Sequence, residues 1–515
     1  HDCLCFVRAF PDNGEIHQIA SSWLQDFDSV VSNLSKGERA MLDDSGIAGT
    51  DLHYAFSYEV ASWMARHFPG IASIDWPELE DIDRLHELMD QLIESSEADY
   101  FDSGWVDVKE WLGIATANQS ATKFDWLMMQ VSEHKQHTRF LESLYNSAEL
   151  PLRCELSGAL LSRSRNMLDV DDVHYRSGRM RGRVSFAKRE ICRRLSRIKR
   201  LSATEGQRFL NVAMSSLAVR HRETAHFNYA NPGDVYLADV GKGVVIAVTG
   251  LAPEHRYPLE CTQGFLILSN GVPVGYGGAS VIFNQANAGI NIFDEYRGSE
   301  AAWLWVQVMR VFHTLTGCTR FVANPYQFGG DNDEALQSGA FWFYYRLGYR
   351  PVNSAVKKLA RQEFMKLKSR AGYRSPINIL RRLATCDMHC VLPGARQSEF
   401  FDESWIESCS LLATQEIAKT GELSRKKALR AISRQVMKDL GLRSLKSWSR
   451  NEQQAFVRFC PTIAAADPAN WSTQEKKTLA QLARAKGAES EVGYARCLRS
   501  HEKLFLTLKK KCRKT

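Results

Sequence analysis

The feature that most constrains the fold is a series of short β-branched runs in the middle of the chain. Five runs follow one another, at Asp234–Val240, Val244–Thr249, Gly264–Ser269, Val272–Phe283 and Gly289–Phe293. Only Asn270-Gly271 separates the third run from the fourth, and this dipeptide favours a two-residue hairpin turn. Strands that are joined by hairpins pair in antiparallel fashion. The sequence therefore predicts an antiparallel meander in this region.

A sixth run, Arg320–Asn324, follows a predicted helix at Glu300–Leu315. A strand that is reached through a helix favours a parallel neighbour, so the sheet is expected to be mixed. A second helix is predicted at Glu334–Leu347, rich in aromatic residues. The predicted fold class is therefore α/β (α+β), with a mixed, mostly antiparallel sheet flanked by helices.

The rest of the chain has mainly helical spacing of its apolar residues. With 515 residues, more than one domain is expected. Changes in composition place the boundaries, since we find no internal repeat. We predict a mainly helical region at 1–205, the sheet-containing core at 206–355 and a second mainly helical region at 356–515.

Composition excludes several classes of protein. No apolar run approaches the length of a membrane span, and the first residues lack the pattern of a signal peptide. The 12 cysteines are scattered, which predicts reduced thiols and a cytoplasmic location. Cys386-Asp-Met-His-Cys390 is an isolated cluster without a second ligand pair, so we expect no metal site. Phosphate-binding loops, dinucleotide fingerprints and serine-hydrolase elbows are absent from the sequence.

Positive charge is concentrated in a few stretches, although the net charge is only +7. Arg176–Arg200 contains eleven Arg or Lys residues and one Glu, and we predict a helix at Ser185–Leu201. This segment is either a solvated helix face or a binding surface for nucleic acid or another polyanion. A further basic stretch runs from Arg425 to Arg450.

The turn after the last strand of the meander has the features of an anion site. Tyr296-Arg297-Gly298-Ser299 is followed directly by a predicted helix. Free backbone N–H groups at a helix N-terminus bind phosphate, and a glycine lets the backbone approach closely. The order of strand, turn, helix, strand and aromatic helix resembles the acyl-CoA-binding core of the GNAT N-acyltransferase superfamily over about residues 243–352.

The resemblance implies a donor site for acetyl-CoA or another acyl-CoA. In the family pattern Arg/Gln-x-x-Gly-x-Gly/Ala, Arg297 matches the first position and Ala302 the last, whereas Glu300 stands at the middle glycine. By the resemblance, the pyrophosphate would be bound by Arg297, Gly298, Ser299, Glu300, Ala301 and Ala302. The carboxylate of Glu300 would repel it unless the side chain turned away or paired with a cation. Arg320–Asn324 would be the strand that diverges to admit the pantetheine arm.

The aromatic helix supplies the second match. Tyr344-Tyr345-Arg346-Leu347-Gly348-Tyr349 fits the family's Tyr-x-x-Leu-Gly-aromatic pattern, and Tyr344 occupies the position of a tyrosine that often acts as general acid. The resemblance also implies an asparagine that contacts the cofactor. Asn332 is one candidate and Gln337 has the expected offset. The loop from Asn324 to Asp333 is expected to line the site, with Asn324 as a further candidate for a cofactor contact, and it contains Gly329-Gly330.

Acyl transfer to an amine requires a base for the acceptor. His221-Arg-Glu-Thr-Ala-His226 offers two imidazoles and one carboxylate, and we take His226 and Glu223 as candidates. Asp294 or Glu295, before the turn, could be the base or could cap the next helix.

The sequence thus leads to two hypotheses. The first is an acyl-CoA-dependent N-acyltransferase that acts on a small-molecule or macromolecular amine. The alternative is a non-catalytic GNAT-like module in a protein that binds nucleic acid or another polyanion through Arg176–Arg200.

Overall fold

The computed structural model describes residues 1–134, 138–156, 161–180, 184–298, 300–396 and 400–513. The chain divides into two compact units. Unit 1 consists of His1–Ser177, Arg208–Tyr229 and Asn270–Pro273. Unit 2 consists of Gly178–Gln207, Ala230–Ser269 and Val274–Thr515.

The elements before the large sheet are mostly helices. In chain order they are α1 (Asp2–Ala9), α2 (Gly14–Gln25), α3 (Phe27–Ser32), α4 (Lys36–Ala40), β1 (Asp51–Tyr54), α5 (Tyr58–His67), β2 (Ala72–Ile74), α6 (Ile82–Met89), α7 (Ser95–Asp102), α8 (Val108–Ala115), α9 (Lys123–Glu133), α10 (Thr138–Ala148), β3 (Leu152–Glu155), α11 (Ala187–Ile191), β4 (Ile198–Arg200), α12 (Ala203–Ala218) and α13 (Ala225–Asn228).

The central elements are strands interrupted by helices. They are β5 (Ala230–Gly241), β6 (Val244–Leu251), β7 (Cys261–Ser269), β8 (Val272–Ile282), β9 (Gln285–Ile292), α14 (Ala301–Thr316), β10 (Arg320–Ala323), α15 (Asp333–Ser338), α16 (Ala340–Arg346) and β11 (Arg350–Pro351).

The remaining elements are helical except for one strand. They are α17 (Ser354–Ser369), α18 (Ile377–Leu383), β12 (Met388–Val391), α19 (Glu403–Ala418), α20 (Arg425–Asp439), α21 (Arg450–Ala466), α22 (Thr473–Ala485), α23 (Glu491–Ser500) and α24 (Glu502–Cys512).

Unit 1 is a helical unit with a small antiparallel sheet. Its three strands have the order β1-β3-β2, and Cys154 pairs with Leu52 on one side and Ala72 on the other. Trp63 and Tyr145 are among its buried aromatic side chains. The sequence predicted the helical character but not this sheet, because strands of three or four residues are too short to show a clear periodicity.

Unit 2 is built on a nine-stranded sheet with the order β11-β12-β10-β9-β8-β7-β6-β5-β4. The predicted meander is confirmed, since β5 to β9 are sequential neighbours, and Asn270 and Gly271 have φ angles of 47° and 78° in the predicted hairpin turn. The parallel neighbour is confirmed as well, because β10 pairs with β9 in parallel. The described chain is therefore a mixed α/β protein with a large, mostly antiparallel sheet.

Helix α14 forms the centre of the unit 2 core. Its side chains are buried almost all around, which is typical of a helix that is covered on every side. Phe265 of β7 contacts Trp305 and Phe312 of this helix, with ring centroids 6.3 and 5.9 Å apart. This packing fixes the position of the helix N-terminus relative to the sheet.

Two helix predictions are wrong in part. The predicted helix Ser185–Leu201 is helical only in α11, and Ile198–Arg200 forms β4 instead, because this segment pairs with the free edge of β5. The predicted helix Glu334–Leu347 is two helices, since Gly339 has a φ of 68° and ends α15 before α16 begins. Tertiary pairing and a left-handed glycine outweigh the apolar periodicity in these two places.

Two further features bear on the expectations from composition. Each cysteine of the structure is a free thiol. Among the described helices, none combines the length and the apolar character that crossing a bilayer requires.

Candidate functional site

The candidate site lies in unit 2, where β9 and β10 part. The parallel pairing covers three residues of each strand and ends at Asn287 and Val322. Strand β9 continues to Ile292, and its opposite edge remains paired with β8 up to that residue. Along Ala288–Ile292, no described strand pairs with the edge that faces β10. This part of β9 offers free backbone groups to an extended ligand.

The side chain of Gln327 lies over β9 at this edge. A methyl group built on Gly289 would lie 2.3 Å from Oε1 of Gln327. Gln327 belongs to a short 3-10 segment, Pro325–Phe328, that follows β10 directly. The polar end of a glutamine side chain can rotate away, whereas a backbone atom in the same place could not. A ligand that approached Gly289 would therefore meet the Gln327 amide, which can move aside.

Asn324 marks the end of β10 beside the same edge. Its side chain is partly buried, and Oδ1 has no hydrogen-bond partner among the described residues. A buried acceptor without a partner costs free energy, so a ligand that donated a hydrogen bond here would be favoured. The predicted cofactor contact at Asn324 remains a prediction.

The β9–α14 turn, residues 293–300, leads into the helix N-terminus. Gly298 has a φ of 87°, which favours glycine, and an added Cβ would meet nothing within 4 Å. Glu300 is the N-cap residue of α14, yet its side chain makes no capping hydrogen bond. The Glu300 side chain therefore does not cap the first N–H groups of α14. Ser299 lies outside the described residues.

Carboxylates surround the single arginine of this turn. Arg297 forms ion pairs with Asp294 at 2.8 Å and with Glu334 of α15 at 2.9 Å. All three side chains are more than half exposed. Glu300 is buried, with 9% of its surface exposed. The turn therefore combines a helix N-terminus with more negative than positive side chains, so an anion would compete with Asp294 and Glu334 for Arg297.

Tyr344 lies in a cluster of aromatic side chains next to this region. Its ring contacts Trp305, Phe328 and Tyr349, with centroids 6.3, 6.1 and 5.2 Å away. The side chain is 3% exposed, and burial raises the pKa of its phenol well above the usual value. The phenol therefore stays protonated at neutral pH and can donate a hydrogen bond.

The amide candidates on α15 have other roles in the structure. Asn332 is the N-cap of α15, where Oδ1 accepts from the Ala335 N–H at 3.0 Å and Nδ2 donates to the Tyr326 carbonyl at 3.1 Å. Both ends of this amide are engaged, so it stabilises the start of the helix. Gln337 is exposed on the same helix.

Glu223 and His226 belong to unit 1, whereas Tyr344 and Asp294 belong to unit 2. The Glu223 carboxylate accepts hydrogen bonds from the backbone N–H of Ser57, at 3.0 Å, and from the Ser57 hydroxyl. Ser57 precedes α5, so Glu223 stabilises the N-terminus of that helix. His226 is partly buried, and burial lowers its pKa. His221 stacks on Tyr54, with ring centroids 5.1 Å apart.

The cluster Cys386–Cys390 is divided between a loop and β12. Within the described ranges, no group of three or more His, Cys, Asp or Glu side chains is placed to hold a metal ion. His389 instead accepts from Arg320 of β10, whose Nη1 lies 3.2 Å from the imidazole Nδ1. This contact joins β12 to β10 and supports the strand that parts from β9.

Sequence reasoning missed two side chains of the site. Glu334 is 37 positions from its partner Arg297, and no pattern in the sequence connects them. Gln327 lies in the loop that was expected to line the site, but its position over Gly289 follows from the 3-10 turn after β10.

Comparison of the whole chain with protein-family models, with curated proteins and with solved structures finds no match.

Proposed function

We propose that this chain is an N-acyltransferase that takes its acyl group from a CoA thioester and transfers it to an amine. The observation that carries the proposal is the parting of β9 and β10 beside the N-terminus of α14. An extended arm that ends in a pyrophosphate matches this combination of a free strand edge and a helix N-terminus. The meander that precedes the turn and the parallel placement of β10 support this proposal.

The proposed reaction requires three contributions from the chain. In the transfer, the amine nitrogen attacks the thioester carbonyl, the C–S bond breaks, and the thiolate leaves while the nitrogen loses a proton. The free edge of β9 would orient the donor, and the α14 N–H groups would bind its phosphates. Tyr344 would stabilise the departing thiolate. Because burial makes its phenol a weaker acid, we assign it a hydrogen bond to the sulfur rather than complete proton transfer.

Three residues are candidates for the acceptor base. Glu223 caps α5 and, like His226, belongs to unit 1. Asp294 belongs to unit 2 together with Tyr344 and is an exposed partner of Arg297. We therefore assign the role of base to Asp294, which as a carboxylate can accept a proton from the amine.

One observation favours the alternative, a GNAT-like core that binds no donor. Arg297 is engaged by two carboxylates, and Glu300 adds a third negative charge to the same turn. If these charges exclude a pyrophosphate, the core would serve only as a scaffold. The test below distinguishes the two functions.

CoA binding is the decisive experiment. We expect millimolar CoA to raise the melting temperature of the full chain, because a ligand that binds only the folded state stabilises it. G298A should weaken this effect and the heat of binding in titration calorimetry, since alanine is strained at a φ of 87°.

G372A is the matched control for this variant. Gly372 also has a positive φ, 75°, and free space around an added Cβ, but it lies between α17 and α18. A melting curve of the wild-type chain that CoA leaves unmoved, together with no heat of binding, would contradict the acyltransferase and support the scaffold.

A further inference from the structure

Most of the excess positive charge of the chain can be assigned to two stretches, and one of them is Arg425–Arg450. This stretch contains nine Lys or Arg residues and one acid, Asp439. The rest of the chain has 57 Lys and Arg (66 minus 9) and 58 Asp and Glu (59 minus 1), so without this stretch its net charge is about zero. Such an asymmetry points to a polyanionic partner only where the charges are not neutralised within the fold.

The other basic stretch, Arg176–Arg200, is largely neutralised by acidic side chains. Residues 181–183 lie outside the described residues, which leaves nine described cations in this stretch. Five of them form ion pairs, at 2.7 to 3.5 Å: Arg176–Asp12, Arg193–Glu190, Arg197–Asp239, Lys199–Glu205 and Arg200–Glu489. The segment that the sequence favoured for polyanion binding therefore has less free charge than its composition indicates.

The stretch Arg425–Arg450 behaves differently. All nine of its cations are exposed, and none forms an ion pair with any residue that the structure describes. The single acid, Asp439, accepts a hydrogen bond from Gln435 at 2.8 Å. The positive charge of this surface is thus uncompensated within the described fold.

Helix α20 arranges part of this charge in a line. Its buried side chains Ala428, Ile432 and Val436 lie on one side, and α20 packs there against α19 and α21. Four cations at four-residue spacing run along the exposed side, and they are Lys426, Arg430, Arg434 and Lys438. Successive members are about 6 Å apart along the helix axis. Like charges at this spacing repel one another in a helix, so the arrangement is unfavourable without a partner.

We propose that α20 and the segment up to Arg450 form a docking surface for the phosphate backbone of duplex DNA. Lys and Arg side chains bind phosphate oxygens, and the guanidinium forks of Arg430 and Arg434 suit this contact. The exposed side of an α-helix fits the major groove of DNA, whereas the major groove of an RNA duplex is too narrow for side chains. The partner is therefore a duplex with DNA geometry.

Two other partners fit this surface less well. A single strand is normally held by exposed aromatic side chains on which bases stack, but Trp448, the aromatic residue of this stretch, is 9% exposed. Anchoring at a membrane surface is strengthened by an apolar helix face that enters the lipid, in addition to the attraction of basic side chains to anionic head groups. The apolar side of α20 is buried in the fold, so it is not available for insertion.

The test is binding of the full chain to a fluorescein-labelled DNA duplex of arbitrary sequence, followed by anisotropy. If about four phosphates are contacted, affinity should fall on the order of 100-fold between 50 and 200 mM salt. R430E/R434E should abolish most of the binding and reduce the slope of log affinity against log salt by about 2.

The control K357E/K358E makes the same change of net charge on α17, where both lysines are exposed and take part in no ion pair within the described ranges. It should bind the duplex like the wild-type chain. If the melting curve shows that R430E/R434E does not fold, R430Q/R434Q is tested instead. This variant should also lose affinity for the duplex, but less, because it removes two positive charges without adding negative ones.

Four results would overturn the proposal. The first two are no binding to the duplex at 50 mM salt, and an equal loss of DNA affinity in R430E/R434E and K357E/K358E. The third is tighter binding to a DNA single strand or to an RNA duplex of the same sequence. The fourth is binding to vesicles of anionic lipid in place of DNA. This surface is distant in sequence from residues 285–349. A negative result for DNA binding would therefore leave the CoA experiment unaffected, and a negative result for CoA would leave the DNA proposal unaffected.

Discussion

The guanidinium of Arg297 lies 2.9 Å from the carboxylate of Glu334, and this ion pair connects the β9–α14 turn to the first turn of α15. Arg297 is the one cation of the turn that could meet a pyrophosphate, so its engagement by Glu334 and Asp294 opposes donor binding. The pair is exposed, and exposed pairs contribute roughly 0–1 kcal/mol. A donor could therefore displace Glu334 at modest cost.

We expect E334Q to increase the affinity for CoA by about twofold to fivefold, because Arg297 loses a competing partner. The measurement is titration calorimetry of CoA with the purified variant. D333N is the matched control, since Asp333 is the exposed neighbour on the same helix turn and forms no ion pair with Arg297 within the described chain. Equal gains in both variants would show that general charge, not this pair, matters.

Glu300 is the second acid to test. E300Q preserves the shape of the side chain and removes one negative charge from the N-cap of α14, so CoA should bind about tenfold more tightly. The melting temperature without CoA is measured in parallel, because Glu300 is buried and the change could alter stability. A loss of affinity in a variant that melts like the wild-type chain would mean that the carboxylate assists the donor.

Tyr344 provides a test of the chemistry apart from binding. We expect Y344F to lower kcat for acyl transfer by about 100-fold with little change in the KM for the donor, because the hydroxyl would act on the departing thiolate. Y345F is the control, since Tyr345 is similarly buried in the neighbouring aromatic cluster. Activity is followed as release of free CoA thiol. An unchanged kcat in Y344F would remove Tyr344 from the mechanism.

Strand alternation and turn chemistry were sufficient to predict six of the nine strands of the large sheet, whereas β4, β11 and β12 were missed. Local sequence patterns predict the five runs of the meander, the Asn270-Gly271 hairpin and the parallel placement of β10. These patterns are the alternation of side chains along a strand and the residue types of a tight turn. Helix limits were less accurate where a long-range pairing or a glycine intervened, as at Ile198 and Gly339.

The site was only partly predictable, for a physical reason. The turn at Gly298 and the tyrosine at 344 have recognisable local sequences. The ion pair between Arg297 and Glu334, and the position of Gln327 over Gly289, depend on how separate elements pack, and single-sequence patterns do not contain that information. The same limit applies to charge, since the sequence favoured Arg176–Arg200 over Arg425–Arg450 for polyanion binding and the ion pairs reverse that preference.

His389 should make unit 2 sensitive to acid. Burial, and then the adjacent positive charge of Arg320, lower its pKa from 6.5 to about 4. A depressed pKa means that the unfolded chain takes up a proton first, so the contribution of this group is complete above pH 6.5 and is lost as the pH falls towards 4. The loss is on the order of 3 kcal/mol at most.

The measurement is the urea midpoint of unfolding between pH 7 and pH 4. H389N keeps an acceptor that can face Arg320 but cannot take up the proton, so its midpoint should fall less over this range than that of the wild-type chain. H134N serves as the control, because His134 is exposed at the end of α9. Parallel pH profiles for wild type and H389N would show that other groups cause the acid sensitivity.

A buried group of charges should determine how strongly the C-terminal helices are held to the sheet of unit 2. Lys486, at the end of α22, donates to Glu491 at 3.2 Å and to the carbonyl of Glu260 at 2.6 Å. Glu491 in turn accepts from the Leu251 N–H of β6, and its own N–H donates to Asp234 of β5 at 2.7 Å. Lys486 and both acids are almost completely buried. The buried guanidinium of Arg256 lies 3.7 Å from Asp234 and 4.0 Å from Glu491, so removing Lys486 leaves two buried acids with one shared cation.

We expect K486M to lower the free energy of unfolding by about 3–5 kcal/mol, because Glu491 and Asp234 would remain buried with Arg256 as their shared counterion. K477M, at an exposed position of the same helix, should change it by less than about 0.5 kcal/mol. The double variant K486M/E491Q should lose less than the sum of the two single changes, since the second substitution removes the uncompensated charge. Urea unfolding of the wild-type chain, K486M, E491Q and K486M/E491Q measures this coupling. Additive losses would show that Lys486 and Glu491 act independently.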